Sequence, residues 1–262
     1  MKTIDNFLTY KEENKKITMI TCYDYWSAQI IDKSNIDAVL VGDSTAMVMH
    51  GFENTINADI EMMAFHTAAV SKGIKQKVLI TDLPFLSHLK GRNRLVDNVD
   101  KIFKAGAGAV KIEGTQNTLE DIGYLVKSGI PVMGHLGMTP QSYHQFGGFK
   151  LQGNDDVKSN IISDEAKKLE DAGCFAIVLE MIPSELAKKI TASIKIPTIG
   201  IGAGKYTSGQ ILVLQDLLGM NETFNPKFLK KYMDGFKLIE NALNNYDKDV
   251  KESVFPSENE SY

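Results

Sequence analysis

Short apolar runs rich in β-branched residues alternate along the chain with longer amphipathic stretches, the pattern of β–α units that feed a parallel sheet. Eight runs stand out, and each can be placed by where it stops. "KITMITCYD" stops near Tyr23 and Asp24, "DAVLVGDS" at Asp43 and Ser44, "KVLITDLP" at Asp82, and "AVKIEG" at Glu113. "IPVMGHLG" stops at His135, "CFAIVLEM" at Glu180, "IPTIGIGAG" in glycines, and "GQILVLQD" at Asp216. Between them, "RNRLVDNVDKIFKAG" places Leu95, Val96, Val99, Ile102 and Phe103 on one helical face and stops at Gly106. "SDEAKKLEDAG" opens on capping residues and stops at Gly173. The pattern predicts an α/β protein, a closed (β/α)8 barrel, with a first helix across its bottom and a further helix from about Pro226 to Asn244.

One strand carries charge where packing would favour none. In "GAGAVKIEGT", Val110 and Ile112 share one face while Lys111 and Glu113 share the other. Strands of a parallel sheet are covered on both faces, so charge there needs a reason. In parallel barrels sites are built on the C-terminal rim, and Asp43, Asp82, Glu113 and Glu180 end four different strands on that rim. Carboxylates held close in partial burial repel one another, which raises their pKa values or calls for a cation. Oxygen donors without a His or Cys cluster suit a hard ion, Mg2+, better than zinc. The competing reading makes each aspartate the N-cap of its following helix, which leaves Lys111 unexplained. His135 is either a ligand contact or a satisfied structural group, and His66, within "MMAFHTAAV", reads as structural.

The 262 residues, 43% of them hydrophobic, suffice for one large core. A single catalytic domain is expected over 1–245, followed by a polar tail over 246–262. Lys and Arg total 29 against 33 Asp and Glu, a net charge of −4 without a basic stretch, which argues against nucleic acid as a partner. No apolar run reaches the roughly 18 residues of a membrane helix, and "MKTIDNFLTYKEENKK" lacks the apolar core of a signal peptide. A cytoplasmic protein without membrane contact is therefore expected. Cys22 and Cys174 sit in apolar contexts without metal spacing and read as reduced core thiols. The glycine-rich segment Gly137–Asp156 reads as a lid or a long ordered loop. "GIGAGKYTSG" allows two readings, an anion cradle at a helix start or a tight loop, and its spacing is not a dinucleotide fingerprint.

Taken in order, "TCYDYWSAQI", "VGDSTAMVMHGFENT", "ITDLPF", "VKIEG", "GHLGMTPQS", "FGGFKLQG", "VLEMIP" and "IGIGAGKYTSGQILVLQDLLG" resemble the ketopantoate hydroxymethyltransferase family from about Thr3 to Lys231. The resemblance implies a TIM barrel of the phosphoenolpyruvate/pyruvate superfamily type. It also implies hydroxymethyl transfer from 5,10-methylenetetrahydrofolate to 3-methyl-2-oxobutanoate (ketoisovalerate), through a Mg2+-stabilised enolate. The product would be 2-dehydropantoate, for pantothenate and coenzyme A. By the same resemblance Asp43, Asp82 and Glu113 form the metal site. Asp43, Ser44, Asp82 and Lys111 hold the keto acid, His135 contacts product, and Glu180 is the catalytic base. The family resemblance further implies a homo-oligomer, a decamer. Cys22 and Met138 depart from the family's usual residues away from the chemistry, and the C-terminal tail diverges most. Two other readings are a Mg2+-dependent carbon–carbon lyase or phosphonate mutase of the same superfamily, separable by folate dependence, and a non-catalytic barrel scaffold.

Overall fold

The computed structural model of the chain describes residues 3–262, so Met1 and Lys2, at the start of the expected 1–245 domain, lie outside the described residues. Eight strands close a barrel in sequence order, and every neighbouring pair is parallel. They are β1 Ile17–Thr21, β2 Ala38–Val41, β3 Val78–Asp82, β4 Ala109–Glu113, β5 Val132–Gly137, β6 Ala176–Glu180, β7 Thr198–Ile201 and β8 Gly209–Leu212. The helices that precede or connect the strands are α1 Asp5–Glu12, α2 Tyr25–Lys33, α3 Thr45–Val48, α4 Ile60–Gly73, α5 Arg92–Lys104, α6 Leu119–Lys127, α7 Tyr143–Phe146, α8 Asp156–Asp171 and α9 Ser184–Ser193. The chain divides into two compact units, one running through Leu212 and the other from Val213. The second unit contains α10 Leu214–Leu217 and α11 Gly235–Lys251.

Side-chain alternation decides what fills the barrel. Ile17 and Met19, Ala38 and Leu40, Val78 and Ile80, Ala109, Met133, Ala176 and Val178, Ile199 and Ile211 form one apolar cluster at the inward positions. Register places Met19 beside Ala38, Ile80 beside Ala109, and Met133 beside Ala176, so these inward residues meet in layers. From α1, Phe7 joins the same cluster and meets Phe175 edge to face at 5.3 Å, closing the N-terminal mouth as the sequence pattern predicts. Lys11, one helical turn on, reaches the end of α9, where its ammonium donates to the carbonyls of Thr191, Ile194 and Ile196 at 2.9, 2.7 and 2.8 Å. The last carbonyls of a helix have no partner of their own, and a cation beside them satisfies both hydrogen bonding and the helix dipole.

Four elements differ from the sequence reading. α8 begins at Asp156, capped by Asp155, whose carboxylate accepts from Lys158 N at 2.8 Å. Ser163, which reads as a cap, sits inside the helix with its hydroxyl bonded back to the Ser159 carbonyl. Between β7 and β8 there is no helix: residues 202–208 cross back in seven residues, which is enough because each of these strands has four. Gly204, at φ +76°, lies so close to α9 that a Cβ would stand 2.1 Å from Ser184 Oγ. The glycine-rich stretch is therefore the tight loop, and no helix start follows it to cradle an anion. β8 pairs only as far as Leu212, and Asp216, expected at the end of that strand, belongs to α10. In the second unit the helix starts at Gly235, because the Tyr232 and Gly235 amides bond the carbonyls of Leu217 and Leu218 and hold residues 226–234 out of helix. At its other end that helix continues to Lys251, into the expected polar tail.

The Lys11 contact sets a test of the fold. Lys11→Met keeps the stem but removes the donors, and is expected to lower the unfolding free energy by about 1–3 kcal/mol, read as a shifted urea midpoint at unchanged slope. A midpoint equal to that of the unaltered chain would mean that water satisfies those carbonyls as well.

Candidate active site

The inward positions that are apolar at the bottom of the barrel are charged at the top. On β3 the series Val78, Ile80 ends in Asp82, on β4 Ala109 is followed by Lys111 and Glu113, on β5 Met133 by His135, and on β6 Val178 by Glu180. Register sets Asp82 beside Lys111 and Glu113 beside His135. Lys111 Nζ lies 3.1 Å from Asp82 Oδ1 and 3.5 Å from Glu113 Oε1, with all three side chains buried. His135 stands between two carboxylates, its Nδ1 3.1 Å from Glu113 Oε1 and its Nε2 3.3 Å from Glu180 Oε2. Asp43, just past β2, is buried beside them, and its backbone amide donates to Asp82 Oδ2 at 3.0 Å.

Two contacts at His135 Nδ1 exclude each other as hydrogen bonds. Lys111 Nζ is 2.9 Å away and Glu113 Oε1 3.1 Å away, yet a ring nitrogen carries either a proton or a lone pair. Carboxylates at both ring nitrogens favour the imidazolium, with Nδ1–H directed at Glu113 and Lys111 paired with Asp82 and Glu113. Burial and Lys111 would lower the His135 pKa, but Glu113 and Glu180 outweigh them and hold it at about 9. For Lys111, burial acts to remove charge, and the attraction of Asp82, Glu113 and Asp43 raises its pKa in spite of it. Burial also opposes ionisation of Glu113, but His135 and Lys111 prevail and bring it down to about 2. Asp43 goes the other way: burial first, then repulsion from Glu113 and Asp82, push its pKa well above the usual carboxylate range. Burial raises Asp82 as well, against the pull of Lys111.

These directions test whether the site fits a metal ion. Asp43, Asp82, Glu113 and Glu180 carry up to four negative charges against one each from Lys111 and His135, and the excess falls on Asp43 and Asp82. Asp82 Oδ1 has no well-directed hydrogen bond, only the nearby ammonium. A hard divalent cation answers such a deficit with oxygen donors, so the residues fit one. They do not stand as a finished ligand set. Among the described residues no group of three or more His, Cys, Asp or Glu is gathered for a metal, because Lys111 and Gln141 reach in between the carboxylates.

Gln141 is the contact that the sequence pattern does not announce. The segment after β5 makes a short turn at Pro140–Ser142, and there the Gln141 side-chain amide donates to Asp43 Oδ2 at 3.0 Å and to the Leu83 carbonyl at 2.9 Å. Its backbone amide donates to Glu113 Oε2 at 3.0 Å. Tyr23 is another such residue, buried, with its hydroxyl 2.7 Å from Ser44 Oγ. Asp24, four residues after Ile20 on β1, does cap its helix, accepting from Ser27 N, whereas Asp43, Asp82 and Glu113 use their carboxylates within the cluster. Capping therefore explains Asp24 and not the rim. Gly137, at φ +94°, lets β5 pass so close to β6 that a Cβ would lie 2.2 Å from the Glu180 carbonyl.

The remaining singled-out residues have structural partners. His66 Nδ1 donates to the Tyr23 carbonyl at 2.6 Å, which leaves Nε2 to accept from His50 Nε2 at 2.9 Å. Cys22 and Cys174 are buried free thiols, and burial pushes each up to about 12. Beside the cluster a cavity of about 430 Å3 runs outward between the loops after β3 and β4, the segment after β5, and α8. It reaches the cluster at Glu113 and Gln141, while Asp43, Asp82, Lys111 and Glu180 do not line it.

Comparison with known proteins agrees with this architecture. A family model described as ketopantoate hydroxymethyltransferase matches residues 1–258. The 3-methyl-2-oxobutanoate hydroxymethyltransferase of Bdellovibrio bacteriovorus is 55% identical over 262 residues, covering the whole of both chains. That of Coxiella burnetii is 54% identical over 257 residues, 98% of this chain and 96% of the relative. Among solved structures, a 2,3-dimethylmalate lyase of the PEP mutase/isocitrate lyase superfamily superposes with a TM-score of 0.62 at 13% identity, covering 100% of this chain and 92% of that one, which shows the barrel alone. With a family match over nearly its full length and relatives more than half identical end to end, this chain belongs to the ketopantoate hydroxymethyltransferase family.

Proposed function

We propose that the chain transfers a hydroxymethyl group from 5,10-methylenetetrahydrofolate to 3-methyl-2-oxobutanoate, giving 2-dehydropantoate, at the charged rim of the barrel. The observation that carries this reading is the buried Lys111 ammonium held among Asp82, Glu113 and Asp43, with His135 on the intervening strand reaching from Glu113 to a further carboxylate, Glu180. Asp43, Asp82 and Glu113 would hold Mg2+, which when bound supplies positive charge where the keto oxygen becomes negative. Lys111 meets the carboxylate of the keto acid, and Ser44, fixed by the Tyr23 hydroxyl, contributes a donor on the same side. Glu180 removes the proton from C3. Its position is set by β6 register and by His135, which stands 3.3 Å away with its other nitrogen on Glu113. His135 also comes within reach of the product. C3 then bonds to the one-carbon unit, water supplies the hydroxyl oxygen, and tetrahydrofolate leaves.

Relatives more than half identical carry the transferase name, which favours this reading over a lyase or phosphonate mutase on the same barrel. In the same proposal residues 1–245 act as one catalytic domain with 246–262 as a polar tail, in the cytoplasm and away from nucleic acid and membrane. No helix among the described residues is long and apolar enough to cross a membrane. Assembly into a homo-oligomer, a decamer by family resemblance, would cover Trp26 and Ile30 of α2 and Phe65 of α4, which are 63%, 61% and 75% exposed.

Two measurements test the assignments. Proton NMR in deuterated water should show the C3 proton of 3-methyl-2-oxobutanoate exchanging on the Mg2+-loaded protein without folate, and Glu180→Gln should slow that exchange by roughly 100- to 10,000-fold. Near-normal exchange in the variant moves the base elsewhere. Lys111→Met should raise the KM for the keto acid by about 10- to 100-fold, as expected for a lost charge-assisted hydrogen bond, with little change for the folate. Equal changes for both substrates would make Lys111 a structural residue only.

A further inference from the structure

The cavity beside the cluster holds polar groups that the chemistry at the rim does not use. Its apolar walls include Phe85, Leu86, Leu89, Leu136 and Phe146, and besides Glu113 of the cluster three ionisable side chains, His88, Lys158 and Glu165, line it as well. At about 430 Å3 it lies in the range of small-molecule sites. His88 is only 6% exposed, and its Nδ1 is buried without a hydrogen-bond partner among the described residues. A buried polar atom left this way is costly, and a turn of the ring that presents it to a ligand in the cavity removes the cost. Burial lowers the His88 pKa against the opposing pull of Glu113 and Asp121, so the ring stays neutral with one donor and one acceptor. Glu165, half-buried on α8, accepts the Thr115 hydroxyl on Oε1 at 2.7 Å and makes no other hydrogen bond among the described residues. That contact orients the carboxylate and leaves Oε2 for a ligand.

We propose that this cavity binds the pteridine of the folate, with the 2-amino and N3–H donors on the Glu165 carboxylate and the 4-oxo oxygen accepting from His88. The proposal rests on the reaction proposed above, which requires a second substrate to reach the rim. A flat fused ring finds apolar surface at Phe85, Leu89, Leu136 and Phe146 within an otherwise polar lining, and its 2-amino-4-oxo edge offers two adjacent donors to one carboxylate. Glu113 and Gln141 line the same cavity, so a one-carbon unit carried by a ligand there lies beside the cluster. Neither His88 nor Glu165 is hydrogen-bonded to a carboxylate of the rim.

Titration calorimetry with tetrahydrofolate tests it directly, on the full chain and on Glu165→Gln and His88→Leu. Each variant is expected to bind about 10- to 100-fold more weakly, while the folate-independent exchange of the keto-acid C3 proton continues. The unaltered chain should discriminate by a similar factor against a 2-desamino analogue of tetrahydrofolate, and Glu165→Gln should lose that discrimination. This comparison decides the matter even if a variant fails to fold. Unchanged affinity in both variants, or equal affinity of the unaltered chain for tetrahydrofolate and its 2-desamino analogue, overturns the assignment. Failure of the unaltered chain to exchange the C3 proton, with tetrahydrofolate binding intact, counts against the proposed reaction and leaves the pteridine site standing.

Discussion

A lysine buried in a protein interior keeps its charge only while carboxylates surround it, and those carboxylates stay ionised only while the cation remains among them. Lys111 stands in that relation to Asp82, 3.1 Å away, and to Glu113, 3.5 Å away. Removing either side would leave uncompensated charge in the barrel, so the cluster behaves as a unit. Its balance is incomplete: the shift of Asp43 far above the usual carboxylate range marks where positive charge is wanting. The proposed function rests on that deficit, which a divalent cation would meet.

The barrel is able to hold such a cluster because its two halves are specialised along the same inward faces. Ala109, Ile80, Met133 and Val178 fill the lower layers with apolar volume, and α1 seals the mouth beneath them with Phe7. The stability that this provides lets the upper layer carry Asp82, Lys111, Glu113, His135 and Glu180, at positions where apolar packing alone would choose other residues. The close approach of β5 to β6 at Gly137 then sets Glu180 against His135, so that the spacing of the charged groups follows from strand register.

Much of this was legible in the sequence, because a period of two along short apolar runs marks both strand and face. Lys111 and Glu113 could be placed on one face from their spacing, and the rim carboxylates from the points where the strands stop. Gln141 could not, since its contacts to Asp43 and Glu113 bring together residues from distant parts of the chain and depend on how an irregular segment folds back. His88 escaped for a related reason: a missing partner is visible only once every neighbour is in place. The starts of α8 and α11 were misplaced because local cues compete, Ser163 bonding within its helix and the amides of Tyr232 and Gly235 being taken by the end of α10. The direct crossover from β7 to β8 runs against the usual helical connection and is permitted only by strands of four residues.

The most direct test of the charge deficit is a count of bound Mg2+ by equilibrium dialysis in saturating 3-methyl-2-oxobutanoate, on the unaltered chain and on Asp43→Asn. The account predicts one Mg2+ per chain with saturable binding, and its loss in Asp43→Asn while the circular dichroism of the barrel is retained. Absence of saturable Mg2+ binding to the unaltered chain, or the same binding in Asp43→Asn, would contradict it.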